Sequence, residues 1–319
     1  MLTGVLYALA AGLMWGLVFI CPLILPDYPP ILLACGRYLA FGIVTLPLAF
    51  MDRAALRELT KADWRDALKL AVVGNLIYYT CLSAAIQHSG GALPTMIIGT
   101  LPASIAISAN IRDGARDGTL PWKWLLPSLA LICLGIAGVN HSELRNFELD
   151  DRFDLTGYAT GALLAVGAAA CWTWYPLRNA DWLRNHPGRS PRIWATAQGL
   201  ATLPLAITGY GLVWIISAQG ITDFPMPLGP TPLKFAGLMF TLGLFASWGG
   251  TMCWNQAALR LPSVIAGQLI VFETIAALAY VYLLRGTVPD QVSLCGIILM
   301  MIGVLIASQI KPEKAVLSG

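Results

Sequence analysis

GVLYALAAGLMW, Gly4 to Trp15, returns 157 residues later as GALLAVGAAACW, Gly161 to Trp172. Gly4 falls on Gly161, Leu6 on Leu163, Ala8 on Ala165, Ala11 on Ala168 and Trp15 on Trp172. Each copy opens an uncharged stretch long enough to cross a bilayer, which takes about 20 apolar residues in a helix. The duplication points to two related halves embedded in lipid.

Bulk composition agrees. Hydrophobic residues make up 57% of the chain and charged residues 12%, against about 25% charged in ordinary soluble domains. A net charge of +3, carried in short loops, supplies no basic stripe of the kind a nucleic acid requires. The seven cysteines lie in or beside hydrophobic spans with no CxxC pair and no neighbouring histidine, so they read as small core- or lipid-facing residues. The first span has no basic start and leads through PLILPDYPP directly into another, the pattern of a retained helix rather than a cleaved signal peptide.

A sliding window predicts ten spans, at 2–21, 31–50, 67–87, 92–111, 122–140, 155–177, 193–216, 233–258, 262–284 and 290–309. The acidic run SELRNFELDDRFD separates the halves, placing domain limits at 1–150 and 151–319. Loop charge orients them. Fifteen basic residues (Arg53, Arg57, Lys61, Arg65, Lys69, Arg112, Arg116, Lys123, Arg178, Arg184, Arg189, Arg192, Arg260, Lys311 and Lys314) fall on the side shared by both termini, and four (Arg145, Arg152, Lys234 and Arg285) on the other. Cytoplasmic loops carry the excess of Lys and Arg, so both termini are expected in the cytoplasm.

An odd number of spans per half inverts the second half relative to the first. Weaker echoes accompany the inversion: Pro30 and Arg37 match the spacing of Pro191 and Gln198, Leu93-Pro94-Thr95 resembles Leu261-Pro262-Ser263, and ALICLG, Ala130 to Gly135, resembles ILMMIG, Ile298 to Gly303. Inverted repeats place a substrate site near the bilayer midplane between the halves and suit alternating access. The expected fold is therefore an all-α integral membrane protein, ten transmembrane helices in two inverted five-helix repeats around a central cavity.

On these features the chain resembles the drug/metabolite transporter superfamily in its ten-helix, two-EamA-repeat form. The resemblance rests on Trp15-Gly16 and Trp172, on Arg37 after Pro30, on the Ala84-Ala85-Ile86 and Ala257-Ala258-Leu259 helix ends, and on Gly135 and Gly303. Within the superfamily it is most similar to the YddG-type aromatic amino-acid exporters. Glu273 stands where many relatives have proline, and Asn110-Ile111-Arg112 and Leu284-Arg285-Gly286 stand where many have a glutamate. The resemblance implies a cavity lined by spans one, three, four, six, eight and nine.

Polar and aromatic residues on those spans are the candidate substrate contacts. Asn75, Tyr79, Ser83 and Gln87 recur every four residues of span three with Tyr78 beside them, a stripe that either lines a cavity or bonds helices together. Trp248, Thr251 and Asn255 repeat the idea in span eight. Trp15, Trp172, Trp174 and Trp248 lie deep, whereas Trp64, Trp122, Trp124, Trp194 and Trp214 sit where interfacial tryptophans belong. Glu273 is the one acid deep in a span, where a charge costs about 2.5–3.5 kcal/mol on insertion scales. Three roles are open to it: attracting a substrate ammonium, carrying a proton, or pairing with Arg37, the one deep base. Gln268 lies five residues before it. The candidate substrate-binding set is Trp15, Asn75, Tyr78, Tyr79, Ser83, Trp172, Trp248, Asn255, Gln268 and Glu273.

Pro94, Pro102 and Pro262 mark places where helices can hinge; Gly12, Gly99, Gly249 and Gly250 permit close helix contact. His88, His141 and His186 fall at span ends or loops. An intramembrane enzyme would need paired nucleophiles, acids or metal ligands within the spans, and no span histidine and a single deep carboxylate do not provide them. No GxxxxGK[ST] loop supports ATP hydrolysis. The sequence thus predicts a non-enzymatic inner-membrane exporter of amino acids, apolar or aromatic, with a small-molecule substrate and the lipid bilayer as partners. It needs no cofactor or metal; a proton-coupled exporter of drugs or other metabolites is the alternative, and monomer and homodimer are both compatible with it.

Overall fold

The computed structural model describes residues 1–89, 92–112, 121–148 and 155–309. The predicted boundary between the halves at 150/151, the loop positions Arg116, Arg152, Lys311 and Lys314, and the side chains of Arg145 and Arg285 lie outside what is described. The described chain is helical, with no strand among the described residues. Its helices are α1 (Leu2–Ile24), α2 (Pro30–Met51), α3 (Arg53–Arg57), α4 (Lys61–Ser89), α5 (Ala92–Ile98), α6 (Leu101–Arg112) and α7 (Trp122–Glu148). Then come α8 (Leu155–Asn185), α9 (Pro191–Ala218), α10 (Pro232–Ala258), α11 (Ser263–Leu269), α12 (Val271–Arg285) and α13 (Gln291–Gln309).

Local chemistry sets the ends. Pro30, Pro191 and Pro232 each occupy a first helical position, where the missing N–H is no loss. Thr60 and Asp63 form a capping box at the start of α4. Gly286 ends α12 at φ +64°, the left-handed conformation that glycine adopts without strain. Between α5 and α6 the helix breaks at Gly99-Thr100, just before Pro102; between α11 and α12 it breaks at Ile270. The two interrupted helices meet: a Cβ on Gly267 of α11 would lie 2.7 Å from Ile105 and 3.0 Å from the Ala106 nitrogen in α6.

Six helices among the described residues, counting α11–α12 as one from Ser263 to Leu284, are long and apolar enough to cross a bilayer. Helices α7 and α13 carry shorter apolar stretches at Trp122–Gly138 and Gln291–Gly303. Leu6, Leu13, Phe50, Leu163, Leu212 and Leu233 are exposed along their flanks, an apolar surface suited to lipid tails and unsuited to water. The molecule is an all-helical integral membrane protein.

Helices α4 and α10 each contain a π-helical stretch, Ala71–Ile77 and Leu242–Gly249. A π turn widens the helix, shifts the register of every residue after it, and recurs at functional sites. Here each stretch points a polar side chain at a neighbouring helix: Asn75 Nδ2 donates to Thr202 Oγ1 of α9 at 3.2 Å, and Arg37 Nε of α2 donates to Ser247 Oγ at 3.0 Å.

Candidate functional site

Both copies of the repeated stretch deliver their terminal tryptophan to one place. Trp15 and Trp172 meet edge to face with centroids 4.8 Å apart. Trp254 of α10 packs on Trp15 at 5.3 Å, and Tyr78 of α4 and Tyr175 of α8 pack on Trp172 at 5.1 and 5.2 Å. Five rings from α1, α4, α8 and α10 thus form a cluster, all of it buried. Trp15 reaches its position because Gly250 leaves room: a Cβ there would lie 2.5 Å from the indole nitrogen.

The cluster is apolar in bulk and polar in its loose ends. Tyr78 Oη, Trp172 Nε1 and Trp254 Nε1 are buried without a hydrogen-bond partner, as is Ser83 Oγ one turn further along α4. Buried polar groups are nearly always paired, because leaving one unpaired costs about 1–3 kcal/mol. Glu273 lies alongside, its backbone against Gly12 of α1 and its Oε2 buried and unpartnered. Among the described residues no ion pair joins Glu273 to Arg37, one of the three roles open to it from the sequence.

The remaining sequence candidates are distributed differently. The span-three stripe divides: Asn75 faces α9, whereas Tyr79 Oη donates to Val18 O of α1 at 3.2 Å and Gln87 Nε2 donates to Tyr28 O at 2.9 Å. Asn255 is used at both ends, its Oδ1 accepting from Asn179 at 2.7 Å and its Nδ2 donating to Pro191 O at 3.3 Å. Gln268 Oε1 accepts from Ser128 at 3.4 Å while its Nε2 has no partner. Trp248, half-buried, has its Nε1 buried without a partner and makes no ring contact with the cluster among the described residues, whereas Trp254 packs on Trp15. Sequence reasoning missed Trp254 and Tyr175. Tyr175 lies three residues after Trp172, a spacing that puts both on one helix face and could have flagged it.

Packed contacts continue toward both ends of α4. On one side Tyr28 stacks on Phe235 at 5.0 Å and meets Phe224 edge-on at 5.2 Å, its hydroxyl donating to Leu228 O and accepting from Thr231 N. On the other side a polar chain runs outward from Tyr175. Its hydroxyl donates to Gln198 Oε1, Gln198 Nε2 donates to Asn179 Oδ1, and Trp194 Nε1 donates to the same oxygen, at 2.8, 3.0 and 2.9 Å. Trp194, expected at a bilayer interface, is instead fully buried and stacked on Trp182 at 3.5 Å. Trp182 Nε1 in turn donates to Asp63 Oδ1, which His186 Nε2 also approaches at 3.3 Å. Beside this rim a cavity of about 420 Å³ is lined by Asp66, Lys69, Trp174, Arg178 and His186.

An apolar helical bundle with a buried aromatic centre accords with a membrane transporter. The EamA-like transporter family matches residues 2–140, and the chain belongs to it, within the drug/metabolite transporter superfamily. It is 51% identical over 314 residues to the inner membrane protein YtfF of Escherichia coli (strain K12), covering 98% of this chain and 97% of the relative. It is 23% identical over 308 residues to the uncharacterized transporter YwfM of Bacillus subtilis (strain 168), covering 95% and 93%. A crystal structure of a protein 17% identical superposes with a TM-score of 0.69 over 96% of this chain and 97% of that one, which shows a common fold. The protein is a membrane transporter, not an enzyme.

Proposed function

We propose that the protein exports amino acids with apolar or aromatic side chains across the inner membrane, by alternating access to the five-ring cluster. The observation that carries this reading is the cluster itself: Trp15, Tyr78, Trp172, Tyr175 and Trp254 present flat apolar faces beside unpartnered polar atoms. A substrate with an apolar side chain and a polar head suits both halves of that description.

Ten transmembrane helices in two inverted repeats are part of the same proposal. Trp15 and Trp172 support it by meeting face to edge across the centre. The matched π stretches and the two interrupted helices support it again. So do Gly135 and Gly303, since a Cβ on the former would press on Met300 and one on the latter on Ile132, each 2.7 Å away. The basic-residue asymmetry supports a cytoplasmic position for both termini and for the rim around Asp63 and His186. The inner-membrane location accords with the name of the Escherichia coli relative.

Counterflow of labelled amino acids in proteoliposomes tests the reading directly. Tryptophan, phenylalanine or leucine inside the vesicles is expected to drive uptake of the labelled compound. Efflux of drug cations driven by an imposed proton gradient, with no amino-acid counterflow, would replace this reading by a proton-coupled drug exporter.

A further inference from the structure

Two ionisable side chains of opposite type lie deep in this bundle, with no salt bridge joining them among the described residues. Arg37 is 4% exposed and Glu273 3% exposed. Arg37 is held from below: its Nε donates to Ser247 Oγ at 3.0 Å, and its guanidinium lies over the rings of Tyr79 and Tyr38 at 4.5 and 4.8 Å. Its Nη1 is left buried and without a partner, as is Glu273 Oε2.

A buried charge left unpaired is among the most costly features a protein can carry, and a pair of opposite sign would ordinarily close on itself. These two are instead fixed by separate scaffolds. Arg37 is clamped by Ser247 of the α10 π stretch and by two tyrosines, while the Glu273 backbone is packed on Gly12. Tyr79, under the Arg37 guanidinium, adjoins Tyr78 of the aromatic cluster in α4, and Gly12, against the Glu273 backbone, lies three residues before Trp15 in α1. A cation alone would satisfy Glu273 and leave Arg37; an anion alone would do the reverse. A zwitterion with its two charges a few bonds apart satisfies both at once and delivers no net charge to the low-dielectric interior.

We infer that Arg37 and Glu273 are the two poles of a clamp for a zwitterionic head group, Arg37 Nη1 taking the α-carboxylate and Glu273 Oε2 the α-ammonium, with the side chain among Trp15, Trp172 and Trp254. This rests on the amino-acid reading above and narrows it: the substrate must carry both charges free. Arg37 thereby becomes a substrate-binding residue, and amines, carboxylic acids and N-acylated amino acids are poor ligands.

Competition in the counterflow assay tests it with three compounds sharing one ring: L-tryptophan, tryptamine, which lacks the carboxylate, and indole-3-propionate, which lacks the ammonium. Should counterflow select leucine, then leucine, 3-methylbutylamine and 4-methylpentanoate take their places. Both truncated analogues are expected to compete at least about tenfold more weakly than the amino acid, the loss that accompanies one charge-assisted hydrogen bond. In Arg37→Gln the amino acid loses its advantage over the amine and keeps it over the acid; in Glu273→Gln the pattern reverses. If the parent moves the amino acid but either analogue competes equally well, the clamp is wrong and the amino-acid reading stands. If the parent moves no amino acid, both fall. A variant that weakens all three compounds alike removes that residue's assigned pole, and if neither variant folds, the parent's ranking of the three compounds decides.

Discussion

Trp15 illustrates how much one side chain depends on a neighbour that has none. Gly250→Ala would place a methyl 2.5 Å from the Trp15 indole nitrogen, and overpacking of this kind costs about 1–3 kcal/mol. We expect that variant to lower the thermal midpoint in detergent and to slow transport. Gly211→Ala, where nothing lies within 4 Å of the new methyl, should leave both unchanged or rise slightly in stability. Equal behaviour of the two variants would mean that Trp15 is not held by Gly250. Trp172, touching Trp15, Tyr78 and Tyr175, has the larger stake: Trp172→Ala should cost about 3–5 kcal/mol if the space does not collapse. Trp172→Phe should keep the fold and raise the half-saturation concentration for an aromatic amino acid. Unaltered transport in both folded variants would remove the cluster from the substrate path.

At the scale of elements, the π stretches decide which side chains face which helix. Counting every four residues along α4 puts Asn75, Tyr79, Ser83 and Gln87 on one face, and the protein bonds Asn75 to α9, Tyr79 to α1 and Gln87 to the loop after α1 while leaving Ser83 Oγ unpartnered. The wide turn at Ala71–Ile77 lies under Asn75 and shifts the register of the residues beyond it. The same holds in α10, where Trp248 lies inside the π stretch and Trp254 beyond it. Asn75 is therefore bound to Thr202 as a helix fastener, which a double-mutant cycle can measure. Asn75→Leu and Thr202→Val together should destabilise by less than the sum of the two single changes, with a coupling of about 0.5–1.5 kcal/mol. Strict additivity would show that the bond contributes nothing to holding α4 on α9.

For the whole molecule, two sets of contacts near opposite ends of α4 bear on the proposed transport cycle. One joins the loop between α1 and α2 to Thr231 and to Phe235 at the start of α10 through Tyr28. The other joins α4, α8 and α9 through Asp63, Trp182 and Trp194. The proposed alternating access requires that they open in turn. Cysteines replacing Tyr28 and Thr231 in a cysteine-free background, bridged by a short reducible bifunctional thiol reagent, should stop counterflow and release it on reduction; full transport in the cross-linked state would show that these contacts never open. Orientation has its own check. Asp27, exposed in PDYPP, replaced by cysteine in the same background should react with an impermeant thiol reagent from outside the cell. Labelling only from inside would reverse the topology.

Features that depend on solvent and on local chain geometry could be read from the residues alone. The apolar character of the chain, the place near Pro102 where a helix can hinge and the two tryptophans singled out by the duplicated stretch were legible, because lipid demands continuous helices and proline removes a backbone donor. It took the packed bundle to show which polar groups are spent and which are left over. Asn75 and Asn255 look as suitable as Tyr78 in the sequence, yet both are bonded to other helices while Tyr78 is not. Arg37 and Glu273 could have been a pair and are not. Pairing is settled by distances between helices far apart in the chain and by the register a π turn imposes, and neither is encoded in the spacing of residues along one span.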